Sequence, residues 1–207
     1  FSSPFDESSV DFLENLEVAK HADQGQQFSY SGVNTFILAW LIEKISGESF
    51  QDTFTREVWR KIGAESDASF LAYRYGIPLS HGGFLSNMRD MARFGLLFTP
   101  SYSVVSDEQI VSEETIDQLL EKPNPNLVRD DGSHNAAQWD YIDDDGFMIK
   151  GGWGGQGLIV NPRLDLVAVY TSYFKEDYSQ ENLRQPLLKI LRDNYLNNEQ
   201  IRSSTNQ

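Results

Sequence analysis

Hydrophobic positions along this chain change period once, and the change divides it into a helical part and a stranded part. From Asn34 to Ser46 apolar residues fall on nearly all sides of a helical wheel (Phe36, Ile37, Leu38, Trp40, Leu41, Ile42, Ile45). That pattern predicts a buried helix, with Gly47 as its stop. Phe50, Phe54, Val58 and Ile62 recur at four-residue spacing and predict a second helix, closed by Gly63. Ser86 is expected to cap a third helix with Met88, Met91, Phe94 and Leu97 on one side. Ser106 and Gln109 have capping-box spacing, and a helix around 112–121 is expected to end near Pro123. Ahead of all these, residues 1–27 are polar and acidic, with Val10, Leu13 and Leu16 forming one short helix face.

The composition of residues 123–136 is that of a loop. Beyond it the period falls to two. Ala137–Ile142, Phe147–Lys150, Gln156–Val160 and Leu166–Ser172 read as strands of an antiparallel meander, with turns at Asp145-Gly146 and Asn161–Asp165. A last helix carries Leu183, Leu187, Ile190, Leu191 and Tyr195. The expected fold class is α+β: a mainly helical part over 1–136, then antiparallel strands and a packed C-terminal helix over 137–198, then a tail over 199–207.

Composition narrows the function classes. A 207-residue chain with 40% hydrophobic and 23% charged residues can bury a real core. The net charge of −14 argues against nucleic acid and anionic membranes as partners. The absence of cysteine excludes disulfides, thiolate metal sites and a cysteine nucleophile. No apolar window approaches the length of a membrane span. The chain opens on Phe1 without an initiator Met or a signal peptide, and the start reads as a cut end.

Candidate chemistry concentrates in two places. Five glycines crowd Lys150-Gly151-Gly152-Trp153-Gly154-Gly155-Gln156-Gly157, ahead of a strand pair. Repeated glycine in a strand marks a close backbone approach, either to a ligand or within a glycine-rich bulge, and both readings stand open. Tyr30 sits just ahead of the apolar helix, where a phenol near a Lys can be polarised for proton transfer or can simply pack. The histidines His21, His81 and His134 have no second ligand at metal-binding spacing. His134 is expected to be solvated in its loop, and His81, before Gly82-Gly83, to face a cleft. Asp130-Asp131 and Asp143–Asp145 lack calcium-loop spacing and read as solvated turns.

Tyr30-Ser31-Gly32-Val33-Asn34 resembles the Tyr-containing second motif of the serine β-lactamase and penicillin-binding-protein superfamily. Within it, the likeness is to the class C β-lactamase, esterase and 6-aminohexanoate-dimer hydrolase branch. Lys150-Gly151-Gly152 resembles that superfamily's third motif. His81–Phe98 is similar to its Gly-Gly turn and following helix, and Asn161–Ser172 to the last hairpin of its sheet. The resemblance spans roughly Phe28 to Leu196. It implies that Tyr30 is the general base or acid and that Lys150 supplies positive charge beside it. It further implies that the edge strand 150–153 lines the acyl group, with the Trp153 N–H as an oxyanion donor. Gly32, Asn34, His81 and Gln156 would line the substrate pocket. No cofactor is implied, the partner is a small ester or amide, and a bacterial periplasmic or secreted setting is favoured.

Three departures from that pattern matter. Gly32 stands where Asn or Ser is usual, and Gly151 where Thr or Ser is common, which favours an esterase or amidase over a true β-lactamase. The Ser-x-x-Lys nucleophile is absent from the 29 residues before Tyr30, and its one match, Ser172-Tyr173-Phe174-Lys175, falls in the wrong order. The expectation is the C-terminal portion of a serine acyl hydrolase, its nucleophile and first fold elements on a missing N-terminal segment, possibly a separate chain. The alternative is a non-catalytic binding module derived from the same fold.

Overall fold

Alternating burial builds the centre of the molecule. The computed structural model describes residue 15 and residues 22–72, 76–152, 154–172 and 183–196. Five strands, β3 (His134–Ala136), β4 (Trp139–Ile142), β5 (Met148–Gly151), β6 (Gly157–Asn161) and β7 (Leu166–Tyr170), form one antiparallel sheet in chain order. A small pair, β1 (Ser69–Phe70) and β2 (Phe84–Leu85), stands apart from it. The helices are α1 (Gly32–Ser46), α2 (Phe50–Phe54, continued by a π turn at Thr55–Trp59), α3 (Met88–Leu96), α4 (Glu113–Leu120) and α5 (Arg184–Leu191). This is the expected mixture of helices and antiparallel sheet.

The sheet is covered on both faces. Phe147, Ile149, Ile159, Leu166 and Tyr170 pack against Leu188 and Leu191 of α5. Ile142, Met148, Leu158 and Val160 face the other way, onto Met91, Phe94 and Phe98 around α3 and Leu119 of α4. Full burial of each such side chain is worth about 1.5–3 kcal/mol. Phe94 and Phe98 also join a third cluster around Trp59, Ile62 and Leu97. There Phe84 meets Phe54 and Trp59 edge-on at 5.3 and 5.4 Å. Of the four-residue stripe, Ile62 is buried and Phe54 and Val58 pack against its cluster, but the helical element ends at Trp59, so Ile62 lies in the turn that Gly63 closes at φ +57°.

Several expectations are corrected. α1 is not a buried helix: Phe36 and Ala39 are buried, but Leu38 is 49% and Ile45 82% exposed, and Ile37, Leu41 and Ile42 are open as well. Its all-round apolar surface exceeds what the described residues cover. It also begins at Gly32, two residues before Asn34. Asn87, rather than Ser86, caps α3 by accepting from the Asp90 N–H. Ser106 heads a turn, accepting from Glu108, while Ser112 caps α4. The supposed loop 123–136 contains a 3-10 turn at Pro125–Leu127 and strand β3. Ala137 and Gln138 belong to no strand. They form the β3–β4 turn at φ 41° and 71°. His134 is buried, its Nε2 bonded to the Leu119 carbonyl. Asp143 is buried too, because Arg192 reaches over to pair with it and with Asp145. On α5 the buried residues are Leu188 and Leu191, whereas Leu183, Ile190 and Tyr195 are exposed. The helix face of Val10, Leu13 and Leu16 lies outside the described residues.

Gly95 sets the distance between α3 and the sheet. A Cβ there would stand 2.6 Å from Val167 Cγ1 and 3.0 Å from Leu158 Cδ1. Ala in a helix interior normally gains about 1 kcal/mol over Gly, but overpacking a core costs about 1–3 kcal/mol. Gly95→Ala is therefore expected to lower the denaturation midpoint; a raised midpoint would contradict this packing. A second prediction concerns acid. Ser101 donates its Oγ and N–H to Asp165, and these bonds hold that carboxyl below its ordinary range. The native state then binds fewer protons than the unfolded chain, so this contribution is complete above the unfolded value of 3.8 and is lost as pH falls through the lower folded value. Asp165→Asn, whose side chain tolerates the same φ of 49°, is expected to flatten the acid limb of a stability–pH profile below about pH 4.

Candidate active site

The β5–β6 hairpin carries the Lys motif, and its register follows from the alternation that buries it. Lys150 lies opposite Leu158, and Gly151 opposite Gly157. Lys150 shares the Met148 face of β5 and emerges where that strand leaves the core. On the side away from β6, β4 pairs with β5 in a register that sets Tyr141 opposite Ile149 and Ile142 opposite Met148. That pairing delivers a residue the sequence reading missed. Asp140 of β4 accepts from Lys150 Nζ at 2.7 Å and from the Gly151 N–H at 2.9 Å, one carboxylate oxygen to each. The Asp140 carbonyl is held in turn by Asn135 Nδ2 at 2.6 Å and Arg129 Nη2 at 3.1 Å. A signal for it existed: Asp140 and Lys150 are equally far from Asp145 in the turn, so a hairpin sets them face to face.

The glycines beyond Lys150 have local explanations. Gly154 and Gly155 sit at φ +105° and +89°, which side-chain-bearing residues rarely adopt. A Cβ on Gly157 would stand 2.5 Å from the Tyr170 hydroxyl oxygen, so the Tyr170 ring requires that glycine. Gly152 donates its N–H to the Gln156 carbonyl at 2.8 Å, and the Gln156 side chain lies over Gly152. With Gly151 N–H on Asp140 and Gly152 N–H on Gln156, neither amide is open to an oxyanion. The oxyanion role expected of Trp153 lies outside the described residues.

The Tyr motif comes from the helical part of the chain. Tyr30 precedes α1 and is 70% exposed. No hydrogen bond joins it to Lys150, whose ammonium is bonded to Asp140. Gly32 opens α1 against the His81 ring: a Cβ on Gly32 would lie 2.9 Å from His81 Cδ2. Burial pushes the His81 imidazole below its ordinary value. Asn34 is exposed on the first turn of α1. One residue on, Thr35 Oγ1 donates to Gln138 Oε1 at 2.6 Å. Gln138 sits in the positive-φ turn that leads straight into β4 and Asp140. The structure thus brings Gly32 to His81, Gly152 to Gln156, and the start of α1 to the turn preceding Asp140. Among the described residues no three His, Asp or Glu side chains gather as a metal-binding group.

The family model described as Beta-lactamase matches residues 2–188, which include both motifs. The chain belongs to the Beta-lactamase family. It is 27% identical over 154 residues to a 6-aminohexanoate-dimer hydrolase of Paenarthrobacter ureafaciens, covering 70% of this chain and 39% of that protein. A solved Bacillus anthracis structure, provisionally identified as a 6-aminohexanoate-dimer hydrolase, superposes with a TM-score of 0.73 at 26% identity, over 89% of this chain and 48% of that one. A Mycobacterium bovis β-lactamase structure shares the fold at a TM-score of 0.61 and 18% identity, over 84% of this chain and 66% of that one. The chain spans about two fifths of the curated relative and about half of the Bacillus structure. No helix among the described residues is long and apolar enough to cross a membrane.

The contact between Gly32 and His81 yields a prediction. Gly32→Ala introduces a methyl against the imidazole, so the ring must move by a few tenths of an ångström. The His81 ring resonances are expected to shift while those of the buried His134 stay in place. Unchanged His81 signals would mean that the ring does not rest on Gly32.

Proposed function

We propose that this chain is the C-terminal part of a serine acyl hydrolase acting on an ester or amide through an acyl-enzyme, with the nucleophile on a Ser-x-x-Lys segment outside these 207 residues. The observation that carries the reading is the family match over residues 2–188, a range that spans Tyr30 and Lys150. Two further facts support it. Relatives are about twice as long as the chain. The open apolar face of α1 also offers a surface for further protein. An amide substrate fits the names of the relatives, since an amino-acid dimer is joined through an amide.

In this reading Tyr30, as general base, takes the proton of the Ser hydroxyl while the Ser oxygen bonds the substrate carbonyl carbon. The carbonyl π electrons move to oxygen, which a backbone N–H beyond Gly152 would receive. Collapse of that intermediate expels the leaving alcohol or amine, which takes the proton back from Tyr30. Water then repeats the sequence, and the acid departs as the serine is restored. Lys150 contributes positive charge along this path. A fixed general acid–base contributes about 10²–10⁴ in rate.

A fluorophosphonate probe tests the assignment. The 207-residue chain alone is expected to remain unlabelled, and the longer or two-chain natural form to take one phosphonyl group on a Ser upstream of Tyr30. Tyr30→Phe in that form should slow labelling by about 10²-fold or more. Labelling at any other residue, Ser172 included, would overturn the proposal. No labelling of the longer form would instead favour a binding module.

A further inference from the structure

Lys150 is the one cation placed by the motif, and its ammonium is already paired. The Asp140 carboxylate bridges Lys150 Nζ and the Gly151 N–H, at 2.7 and 2.9 Å, and so occupies two groups that could receive a substrate anion. The pair is only partly exposed, with side-chain accessibilities of 40% for Lys150 and 34% for Asp140. Asp140 is also braced from behind, through its carbonyl, by Asn135 and Arg129. Arg129 is itself anchored on Ser133 Oγ at 3.1 Å. A free surface lysine samples many rotamers, whereas this one is held along β5 by a carboxylate whose own backbone is fixed.

From this geometry we infer that Asp140 is a specificity-determining and positioning residue that makes the Lys150 site discriminate against anionic acyl groups. The inference rests on the acyl-hydrolase reading for its substrate class, but its electrostatics do not require turnover. A carboxylate approaching Lys150 meets the Asp140 negative charge within a few ångströms, and the attraction of the cation is largely cancelled. A neutral ester or amide carbonyl suffers no such repulsion. Gly151 works in the same direction, since it offers no hydroxyl to a carboxylate and its N–H is already used. The selected substrate class is therefore a neutral acyl group, or one whose charge lies far from the scissile bond.

The test is a titration of the chain with methyl hydrogen glutarate, a small mono-carboxylate, followed by the amide resonances of Lys150 and Gly151. Asp140→Asn removes the charge at constant size and is expected to tighten binding about tenfold at low ionic strength, with the gain shrinking as salt is added. Asp140→Glu, which restores the charge, should return affinity to the wild-type level. Asp140→Asn combined with Lys150→Gln should lose the gain. Equal affinity in wild type and Asp140→Asn, no binding by either, or a gain that survives Lys150→Gln would overturn the inference. Failure of fluorophosphonate labelling would remove the hydrolase reading and leave this charge discrimination standing, so the two failures are separable.

Discussion

The two-sided burial of the β5–β6 hairpin is the constraint on which the rest of the structure depends. Phe147, Met148 and Ile149, then Leu158, Ile159 and Val160, alternate between the α5 face and the α3–α4 face, and every one is buried. A slip of one residue would turn all six to the wrong layer. The register is therefore fixed, and with it the position of Lys150 opposite Leu158 at the point where the strand leaves the core. The position of Lys150 is thus anchored by hydrophobic packing several residues away.

The same register explains why Asp140 matters. β4 joins β5 through the Asp143–Phe147 turn, and symmetric counting from that turn brings Asp140 to Lys150. The partly exposed ion pair adds little to stability, about 0–1 kcal/mol for surface pairs. Its effect is on orientation and field. The β3–β4 turn extends the same logic toward α1. Ala137 and Gln138 both take positive φ without being glycine, which stores strain, and Gln138 ties to Thr35 just beyond the Tyr motif. A single stretch, from Ala136 to Asp140, thus touches both halves of the candidate site.

Much of this was legible in the residues. Period-two alternation marked three of the four predicted strands close to their observed ends, and the Phe50–Ile62 stripe marked a helix packed on the core as far as Trp59. The likeness of the Tyr30 and Lys150 segments to the β-lactamase superfamily agrees with the family that the chain matches. What escaped has physical causes. β3 was hidden because its His and Asn are poor strand formers by composition, yet His134 finds the Leu119 carbonyl and becomes a core residue. The start of β4 was misplaced because Ala137-Gln138 carries no turn signature. The exposure of α1 could not be read from its own pattern, since an all-round apolar helix states only that it must be covered, not by what.

In the proposed reading Tyr30 and Lys150 flank one acyl group, although no hydrogen bond joins them here. The most direct measurement is a crystal structure of the longer natural protein trapped with a phosphonate on its nucleophile. The Tyr30 hydroxyl and the Lys150 ammonium are each expected within about 3 Å of the adduct or of the serine oxygen bearing it, with Asp140 still on Lys150. An adduct flanked by neither side chain would contradict it.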